Sequence, residues 1–317
     1  MSRLDPELVA LTGATGFLGR HVAERLRARG LRVRALVRRH DPVLEARGVE
    51  LLHGDLGSVE RLEALVEGAG TVLHGAGLVR APGDAAFEAA NVLGTARLAE
   101  ASRRRAEGCR FLLISSLAAR EPRLSPYARS KWRAEQELAR RADGLEPLVV
   151  RPPALYGPGD RATLPILAQL ARGFLVAPRA PANRFSLLYV EDLAEALAGL
   201  VAEPAEPWSE APLEPDDGTP QGYAWRDLGE LAGQRTGRRV RLVELPRAVM
   251  TAAALLVEAG ARPLGRAPAL SRGKVAELFH PDWRARDDGR LWRGRTRTTF
   301  AEGFARTLAW YRSAGWL

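Results

Sequence analysis

Short apolar segments alternate with amphipathic segments through the first half of this chain of 317 residues. The apolar runs are rich in Val, Leu and Ile, and they predict strands near residues 7–13, 32–38, 49–55, 71–77, 110–115 and 145–152. Between them, apolar positions at helical spacing predict helices near residues 17–30, 58–67, 84–106 and 125–141. Continuous apolar strands separated by helices are typical of a parallel sheet that is covered on both faces. The pattern therefore predicts an α/β fold with a doubly wound parallel sheet.

The alternation weakens after Pro153, where the chain becomes turn-rich. Further helices are predicted near residues 225–236, 246–261, 271–279 and 299–314. The acidic, proline-rich segment 203–223 is predicted to be an exposed loop. We therefore expect a first domain over residues 1–153 and a smaller, mostly helical lobe over residues 154–317. A strand and helix at about 185–202 are expected to return to the core of the first domain.

The chain is basic, with a formal net charge of +9, because arginine is abundant along its whole length. We nevertheless expect no nucleic-acid partner, since no basic run is interleaved with aromatic residues. No apolar segment approaches the roughly 18 charge-free residues of a spanning helix, so we expect no stable membrane insertion, with contact at a membrane surface left open. The single Cys109 precludes an internal disulfide, and the N-terminal residues lack a signal-peptide pattern. Both features favour a cytoplasmic protein.

A glycine-rich turn with the sequence TGATGFLG, at residues 12–19, joins the first predicted strand to the first predicted helix. Its first two glycines allow a tight turn and a close backbone approach, and its third lets the helix pack on the sheet. The N–H groups and the positive dipole end of such a helix favour a phosphate. In this strand–turn–helix context the spacing predicts a dinucleotide cofactor. The residues expected to bind it here are Gly13, Thr15, Gly16, Phe17, Leu18 and Gly19.

The second predicted strand ends in ALVRRHD, which places Arg38 and Arg39 where an acidic residue would bind a ribose 2′-hydroxyl. A guanidinium instead matches the geometry of a 2′-phosphate. The sequence therefore favours NADP as the cofactor, while Asp41, slightly later in the chain, leaves NAD open.

Tyr127 and Lys131 lie four residues apart in the segment YARSK, and Lys131 is one of only two lysines in the chain. On a helix the two side chains share a face. Ser125 and Pro126 suit the N-cap and the first position of a helix, which puts Tyr127 in the first turn. The helix dipole and the ammonium group both favour the phenolate form. Tyr127 is therefore suited to exchange a proton with a carbonyl or an alcohol.

Ser115 and Ser116 follow the fifth predicted strand, at the edge of the sheet where open α/β folds bind ligands. A hydroxyl at this point could hold a substrate oxygen against Tyr127. The histidines show no metal-ligand spacing, and His74, at a strand end, is expected to be packed and hydrogen-bonded. We therefore expect no metal site.

Several motifs occur in a characteristic order along the chain: TGATGFLG, HGAG at 74–77, NVLGT at 91–95, ISS at 114–116, YARSK at 127–131 and RPPALYGPGD at 151–160. In this combination essentially the whole chain resembles the extended short-chain dehydrogenase/reductase superfamily. It is most similar to the NAD-dependent epimerase/dehydratase and 3β-hydroxysteroid dehydrogenase-like branches. The resemblance implies a Rossmann domain for the dinucleotide, a substrate-binding lobe, and a homodimer formed through the two long helices near 84–106 and 125–141.

The resemblance also implies roles for individual residues. The catalytic residues would be Ser116, Tyr127 and Lys131, with Asn91 helping to order the site. Further cofactor contacts would come from Asp55 and Leu56 near the adenine, from Ala76, Gly77 and Ser115 after the strands, from Tyr127 and Lys131, and from Arg151, Pro152 and Pro153 near the nicotinamide. This chain departs from the family in having HGAG for HxAA, and in having LAAR after ISS, unlike sugar-nucleotide enzymes.

The favoured function is an NADP-dependent oxidoreductase that interconverts a carbonyl and an alcohol, with Tyr127 as general acid and base. The apolar stretch 248–259 suggests an apolar substrate of the sterol, terpenoid or flavonoid kind, but a packed helix of the second lobe, the simpler explanation, or contact with a membrane surface would give the same pattern. One alternative is a nucleotide-sugar epimerase or dehydratase with tightly bound NAD, for which Arg172, Arg179 and Arg184 supply cationic groups. Another is a dinucleotide-binding protein without catalysis, although such proteins often lack the tyrosine or the lysine.

Overall fold

A computed structural model of the chain describes residues 4–203, 211–292 and 294–317. Contacts divide the chain into two compact units. The first consists of Met1–Arg151 with Ala194–Leu213, and the second of Pro152–Leu193 with Glu214–Leu317. The roles predicted for the two domains stay predictions at this stage.

A six-stranded parallel sheet forms the centre of the first unit, with the strand order β3-β2-β1-β4-β5-β6. Its strands are β1 (Asp5–Thr12), β2 (Arg32–Val37), β3 (Glu50–His53), β4 (Ala69–His74), β5 (Arg110–Ile114) and β6 (Glu146–Val150). The strand order reverses between β1 and β4, which is the switch point of a doubly wound Rossmann sheet. The predicted fold class is therefore confirmed.

The helices that connect these strands are α1 (Phe17–Ala28), α2 (Pro42–Ala46), α3 (Val59–Val66), α4 (Asp84–Phe87), α5 (Gly94–Arg105) and α6 (Pro126–Ala139). A π-helical turn, Glu88–Leu93, joins α4 to α5, and a 3₁₀ turn, Leu117–Arg120, follows β5. The long helix predicted near 84–106 is thus helical throughout, but its middle turn is wider than an α-helix. Helix α2 was not predicted, because five residues are too few to show a helical period.

The core of the first unit packs one face of the sheet against helices. Val72 of β4 and Phe111 and Leu113 of β5 are buried in one cluster with Leu98 of α5 and Leu138 of α6. This packing holds the strand ends in register, with His74 of β4 paired to Thr12 of β1 and to Leu113 of β5. The loops that follow these three strands therefore leave the sheet at the same edge.

In its described residues, the second unit combines helices with three two-stranded parallel sheets. The strand pairs are β7 (Ala154–Tyr156) with β10 (Leu187–Tyr189), β8 (Phe174–Pro178) with β11 (Arg241–Leu245), and β9 (Arg184–Phe185) with β12 (Asp282–Trp283). The remaining helices of the described residues are α7 (Leu164–Arg172), α8 (Val190–Ala202), α9 (Trp225–Thr236), α10 (Arg247–Ala261), α11 (Arg272–Leu278) and α12 (Phe300–Ser313), with a 3₁₀ turn at Arg262–Leu264. The four helices predicted after residue 224 are all present, at α9 to α12.

The prediction of an exposed loop at 203–223 falls partly on residues 204–210, which lie outside the described residues. For residues 213–217 it is wrong, because they are buried. Leu213 extends the sheet beside β6, with its N–H donating to the Val149 carbonyl at 2.9 Å. In the second unit, Asp217 accepts a hydrogen bond from the Tyr223 hydroxyl at 2.5 Å, and Asp216 pairs with Arg297 at 2.8 Å. The acidic composition suggested exposure to solvent, but these carboxylates are buried because each has a hydrogen-bonding or ionic partner.

Candidate active site

The glycine turn after β1 is built so closely that side chains are excluded from it. Gly13 has a φ of +80°, and a Cβ there would lie 2.6 Å from the backbone nitrogen of Ala76. The N–H of Gly16 donates to the Gly13 carbonyl at 2.9 Å, and α1 begins directly afterwards, without a side-chain cap on its N-terminus. The exposed residues Thr15 and Gly16 leave the turn accessible. A cradle that a Cβ would fill, at an uncapped helix N-terminus, fits the pyrophosphate of a dinucleotide.

Gly19, the third position of α1, gives a test of this packing. A Cβ at Gly19 would overlap the carbonyl oxygen of Gly13. We expect Gly19→Ala to lower the free energy of unfolding by about 2 kcal/mol, although alanine is the better helix former. The control is Gly260→Ala in α10, where an added Cβ meets nothing within 4 Å. In denaturant unfolding, Gly19→Ala should be less stable than the wild type, and Gly260→Ala should not. Equal stability for both would contradict the overlap.

A chain of hydrogen bonds runs inward from the end of β1, and its donors can be assigned one by one. The Thr95 hydroxyl donates to the Asn91 carbonyl at 2.7 Å, so it must accept from Nε2 of His74, at 3.0 Å. Nδ1 of His74 is then the acceptor for the Thr12 hydroxyl, at 2.6 Å, and the Thr12 oxygen accepts from the Ala76 N–H, at 3.2 Å. Each group in this chain, which we call the His74 network, is satisfied.

The His74 network contains a neutral imidazole. Burial, and to a smaller extent the nearby charge of Lys131, lowers the pKa of His74 from 6.5 to about 3. The prediction that His74 is a packed, hydrogen-bonded residue is confirmed by these contacts.

Asn91 lies in the π turn between α4 and α5 and is almost fully buried. Its amide forms a pair of hydrogen bonds with the backbone of Leu78, accepting from the N–H at 2.7 Å and donating to the carbonyl at 3.0 Å. The same amide donates to the Ser130 hydroxyl at 2.8 Å, and that hydroxyl donates to the Tyr127 carbonyl at 2.8 Å. Asn91 therefore connects the loop after β4 to the first turn of α6.

Tyr127 occupies the first turn of α6, as the sequence predicts. The Ser125 hydroxyl caps this helix by accepting from the Ala128 N–H at 2.9 Å, and Pro126 is its first residue. The ring of Tyr127 packs against Phe87 of α4, with 6.1 Å between ring centroids, and it is only partly buried. The ring is thus supported on one side while part of its surface stays accessible.

Lys131 reaches the end of β5 from the next turn of α6. Its Nζ donates to the Ile114 carbonyl at 2.9 Å, and the residue is only 8% exposed. A Cβ on Gly77 would lie 3.5 Å from Nζ, so the absence of a side chain at Gly77 keeps space beside the amine. Burial lowers the pKa of Lys131 and the Glu135 carboxylate partly opposes that shift, so that the net pKa is about 8.

Glu135, one turn beyond Lys131, is the functional candidate that sequence reasoning missed. It accepts from the Ser115 hydroxyl at 2.5 Å and from Arg151 through Nε at 2.9 Å and a terminal guanidinium nitrogen at 2.6 Å. We call Ser115, Glu135 and Arg151 the Glu135 cluster. The available signal was the continued spacing of four residues from Tyr127 through Lys131 to Glu135. The cofactor contacts expected of Ser115 and Arg151 stay predictions, and their side chains serve this cluster.

Ser116 begins the 3₁₀ turn after β5, where its hydroxyl oxygen accepts from the Ala118 N–H at 3.2 Å. Accepting that bond leaves the hydroxyl proton available for donation to another oxygen. Ser116 is partly buried and lies two residues after Ile114, the last residue of β5, whose carbonyl accepts from Lys131. This position suits a group that holds a substrate oxygen, and that role stays a prediction.

The charged residues that follow β2 differ in whether they have partners among the described residues. Arg38 and Arg39 are exposed, and they form no ion pair within the described part of the chain. Asp41, in contrast, pairs with Arg20 and caps α2 by accepting from the N–H groups of Val43 and Leu44, each at 3.2 Å. Burial raises the pKa of Asp41, but these hydrogen bonds outweigh it and the net shift is downward. The carboxylate is therefore already engaged.

The remaining predicted cofactor residues are dispersed. Asp55 is exposed and accepts from the Gly57 N–H at 2.8 Å, whereas Leu56 packs partly into the core against α5. Pro152 and Pro153 are buried and open the second unit. Their contacts with a cofactor stay predictions. In the described residues, no helix is long and apolar enough to cross a membrane.

Comparison with known proteins identifies the family of this chain. The NAD dependent epimerase/dehydratase family matches residues 9–210. The chain is 40% identical over 316 residues to ceramide reductase of Caulobacter vibrioides, covering 98% of this chain and 96% of that protein. It is 31% identical over 208 residues to 2-alkyl-3-oxoalkanoate reductase of Stenotrophomonas maltophilia, covering 59% of this chain and 62% of that protein. MoeE5, solved in complex with UDP-glucose and NAD, shares the fold with a TM-score of 0.70 at 22% identity, covering 97% of this chain and 99% of that one.

The reductase relatives, the family and the glycine turn lead to the same assignment. The chain is an enzyme, an oxidoreductase of the epimerase/dehydratase superfamily that uses a nicotinamide dinucleotide. It belongs, as its motifs predict, to the NAD dependent epimerase/dehydratase family.

Proposed function

We propose that this enzyme is an NADP-dependent reductase that converts a ketone on a long-chain, ceramide-type lipid to an alcohol. The observation that carries the proposal is the 40% identity to ceramide reductase over 98% of the chain. The second relative, 2-alkyl-3-oxoalkanoate reductase, also bears the name of a reductase of an alkyl-chain substrate. A nicotinamide reduces ketones and not amides, so the reactive group is a ketone on the lipid backbone. This substrate refines the apolar ketone or aldehyde expected from the sequence.

Each of the residues gathered after the strand ends has its own role in this reduction. The bound nicotinamide supplies a hydride. Tyr127 gives a proton to the substrate oxygen, and Ser116 donates a hydrogen bond that holds this oxygen in place. Lys131, charged below about pH 8, stabilises the phenolate that remains and holds the ribose hydroxyls. Asn91 keeps the first turn of α6 in position through Ser130.

The choice of NADP rests on the charges after β2. The Asp41 carboxylate is bound by Arg20 and by the N-terminus of α2, so it is poorly placed to accept from a ribose hydroxyl. Arg38 and Arg39 are exposed and unpaired in the described residues, which supports their binding of a 2′-phosphate.

Changing Arg38 to Ser should weaken NADPH binding about tenfold or more, because a charge-assisted hydrogen bond to the 2′-phosphate is lost. NADH binding should change little, since NADH has no such phosphate. The control is Arg226→Ser, which removes the same charge from an exposed position on α9 in the second unit and should leave both affinities unchanged. Dissociation constants can be measured by cofactor fluorescence. An equal loss for NADPH and NADH would argue against a 2′-phosphate site at Arg38.

The low pKa of Lys131 predicts how activity depends on pH. As the pH rises through about 8, the amine loses its proton, so kcat/KM should fall by up to about tenfold for each further pH unit. Below that pH the ammonium is present and this group causes no change. Lys131→Met should have low activity without this decline near pH 8. A wild-type profile that stays level from pH 7 to 9.5 would contradict a role for the ammonium.

The function itself is tested with the purified protein and NADPH, by following the loss of absorbance of the reduced nicotinamide. A keto form of an N-acylated long-chain base, presented in detergent micelles, should be reduced. The same lipid with its alcohol already formed serves as the negative control, and UDP-glucose tests the nucleotide-sugar alternative. Turnover of UDP-glucose without reduction of the ketone would overturn the proposal. So would tight dinucleotide binding with no reduction of the keto lipid, as expected of a non-catalytic protein.

A further inference from the structure

The outward face of helix α10 is apolar and open to solvent. Val249, Leu255 and Leu256 are 51%, 47% and 76% exposed, and among the described side chains of this helix only Ala254 is buried. Residues 248–257 contain no charged side chain. A contiguous exposed apolar surface of this kind commonly marks an interaction site.

The helix is nevertheless firmly attached to the second unit, so its exposure does not come from loose packing. Glu258, near its end, accepts from the backbone N–H of Arg272 at 2.8 Å and forms an ion pair with the guanidinium of the same arginine at 3.0 Å. At its start, the Arg247 guanidinium lies over the ring of Phe279, 6.0 Å from the centroid. The inward side of α10 is thus held against α11, and its apolar residues remain on the outside.

A second exposed apolar surface lies on the pair of strands that ends just before this helix in the sequence. In the two-stranded sheet of β8 and β11, Val176 is paired in register with Val243, and Phe174 with Arg241. Paired residues of parallel strands point to the same face, and here Phe174, Val176 and Val243 are all exposed while Leu175 is fully buried on the other face. Strand β11 ends at Leu245, two residues before α10 begins. We call this sheet face together with the outward face of α10 the apolar surface.

Exposed arginines lie along the same stretch of chain. Arg238, Arg239, Arg241 and Arg247 precede or begin α10, and Arg266 follows it; all are exposed. They form no ion pair with the described residues. Cations beside an apolar surface are complementary to a bilayer that contains anionic lipids, where phosphates lie next to hydrocarbon.

We propose that the apolar surface docks this protein onto an anionic lipid bilayer, with the apolar side chains entering the interface and the flanking arginines at the lipid phosphates. Helix α10 has 15 residues, fewer than the roughly 20 needed to span, so it lies along the membrane surface. This docking goes beyond the proposed reductase activity, and it does not depend on a lipid being the substrate.

The test is sedimentation of the full-length protein with vesicles of phosphatidylcholine, with or without phosphatidylglycerol, in the absence of cofactor and substrate. The wild type should bind the phosphatidylglycerol vesicles, and added salt should weaken binding. Leu256→Asp and Val249→Asp should each reduce the partition coefficient about tenfold or more. The matched control is Val43→Asp in α2, where the side chain is also 51% exposed, and it should bind like the wild type.

A second pair of changes tests the charges without altering the apolar residues. Arg238→Gln combined with Arg239→Gln should reduce binding to phosphatidylglycerol vesicles several-fold and leave the midpoint of thermal unfolding unchanged. The proposal is overturned if the wild type does not bind, or if Val43→Asp weakens binding as much as Leu256→Asp. It is also overturned if ultracentrifugation finds an oligomer that Leu256→Asp dissociates while no variant binds vesicles, because the surface would then serve a second copy of the chain.

Discussion

Replacing Tyr127 by Phe should lower kcat for ketone reduction by about 10²–10⁴-fold, the range expected when a positioned general acid is removed. The ring of Phe retains the packing against Phe87, and the cap of α6 by Ser125 does not involve the phenol. The variant should therefore fold normally and bind NADPH with unchanged affinity. Single-turnover measurements with saturating NADPH separate the loss of the chemical step from any change in binding.

The matched control for Tyr127→Phe is Trp132→Phe, which changes an exposed aromatic residue on the same helix. It should retain wild-type turnover. If Tyr127→Phe reduces the ketone at close to the normal rate, the proton comes from another group and the assignment of Tyr127 is wrong. If both variants lose activity equally, the cause lies in the helix and not in the hydroxyl.

Replacing Glu135 by Ala should reduce the free energy of unfolding by about 3 kcal/mol or more, because a buried ion pair is broken and one charge is left without its partner. The change removes the acceptor for the Ser115 hydroxyl and for two nitrogens of Arg151. It also removes the negative charge that keeps the pKa of Lys131 from falling further. The decline of kcat/KM with rising pH should therefore move below pH 8 in this variant.

Glu88→Ala is the control for the Glu135 prediction, because Glu88 pairs with Arg133 on the exposed side of the helices. Exposed pairs contribute about 0–1 kcal/mol, so this variant should be nearly as stable as the wild type and keep its pH profile. Denaturant unfolding and pH–rate profiles measure both effects. A Glu135→Ala protein with normal stability but a shifted profile would assign the cluster to tuning Lys131 alone. Normal stability and a normal pH profile would show that the Glu135 cluster contributes neither to folding nor to the pKa of Lys131.

The sequence was sufficient for the features that depend on local spacing. Continuous apolar runs located the six strands, because central strands such as β4 and β5 are buried on both faces of the sheet. Ser125 and Pro126 indicated where α6 begins, since capping and proline placement act within one turn. The spacing of Gly13, Gly16 and Gly19 likewise predicted a tight turn, and a Cβ added to any of them would crowd neighbouring backbone atoms.

Features that depend on distant partners could not be predicted in this way. Nothing near Glu135 in the sequence identifies Arg151, the residue after β6, as its partner. The buried acidic residues Asp216 and Asp217 needed Arg297 and Tyr223 as partners, which lie elsewhere in the sequence. The π turn that carries Asn91 was not predicted either, because it widens the helix over only 6 residues, too few to change the spacing of the apolar residues.

The His74 network also has a consequence for the movement of protons. Its donors all point one way, from Ala76 and Thr12 through the imidazole to Thr95, and the last proton is held by a carbonyl oxygen. A carbonyl has no proton of its own to pass on, so the series ends there and cannot conduct. The bond from Ser130 likewise meets the backbone oxygen of Tyr127 and not its phenol. The His74 network can therefore hold these residues in place but cannot deliver a proton, and the proton that the proposed mechanism takes from Tyr127 must be replaced by a route outside the network.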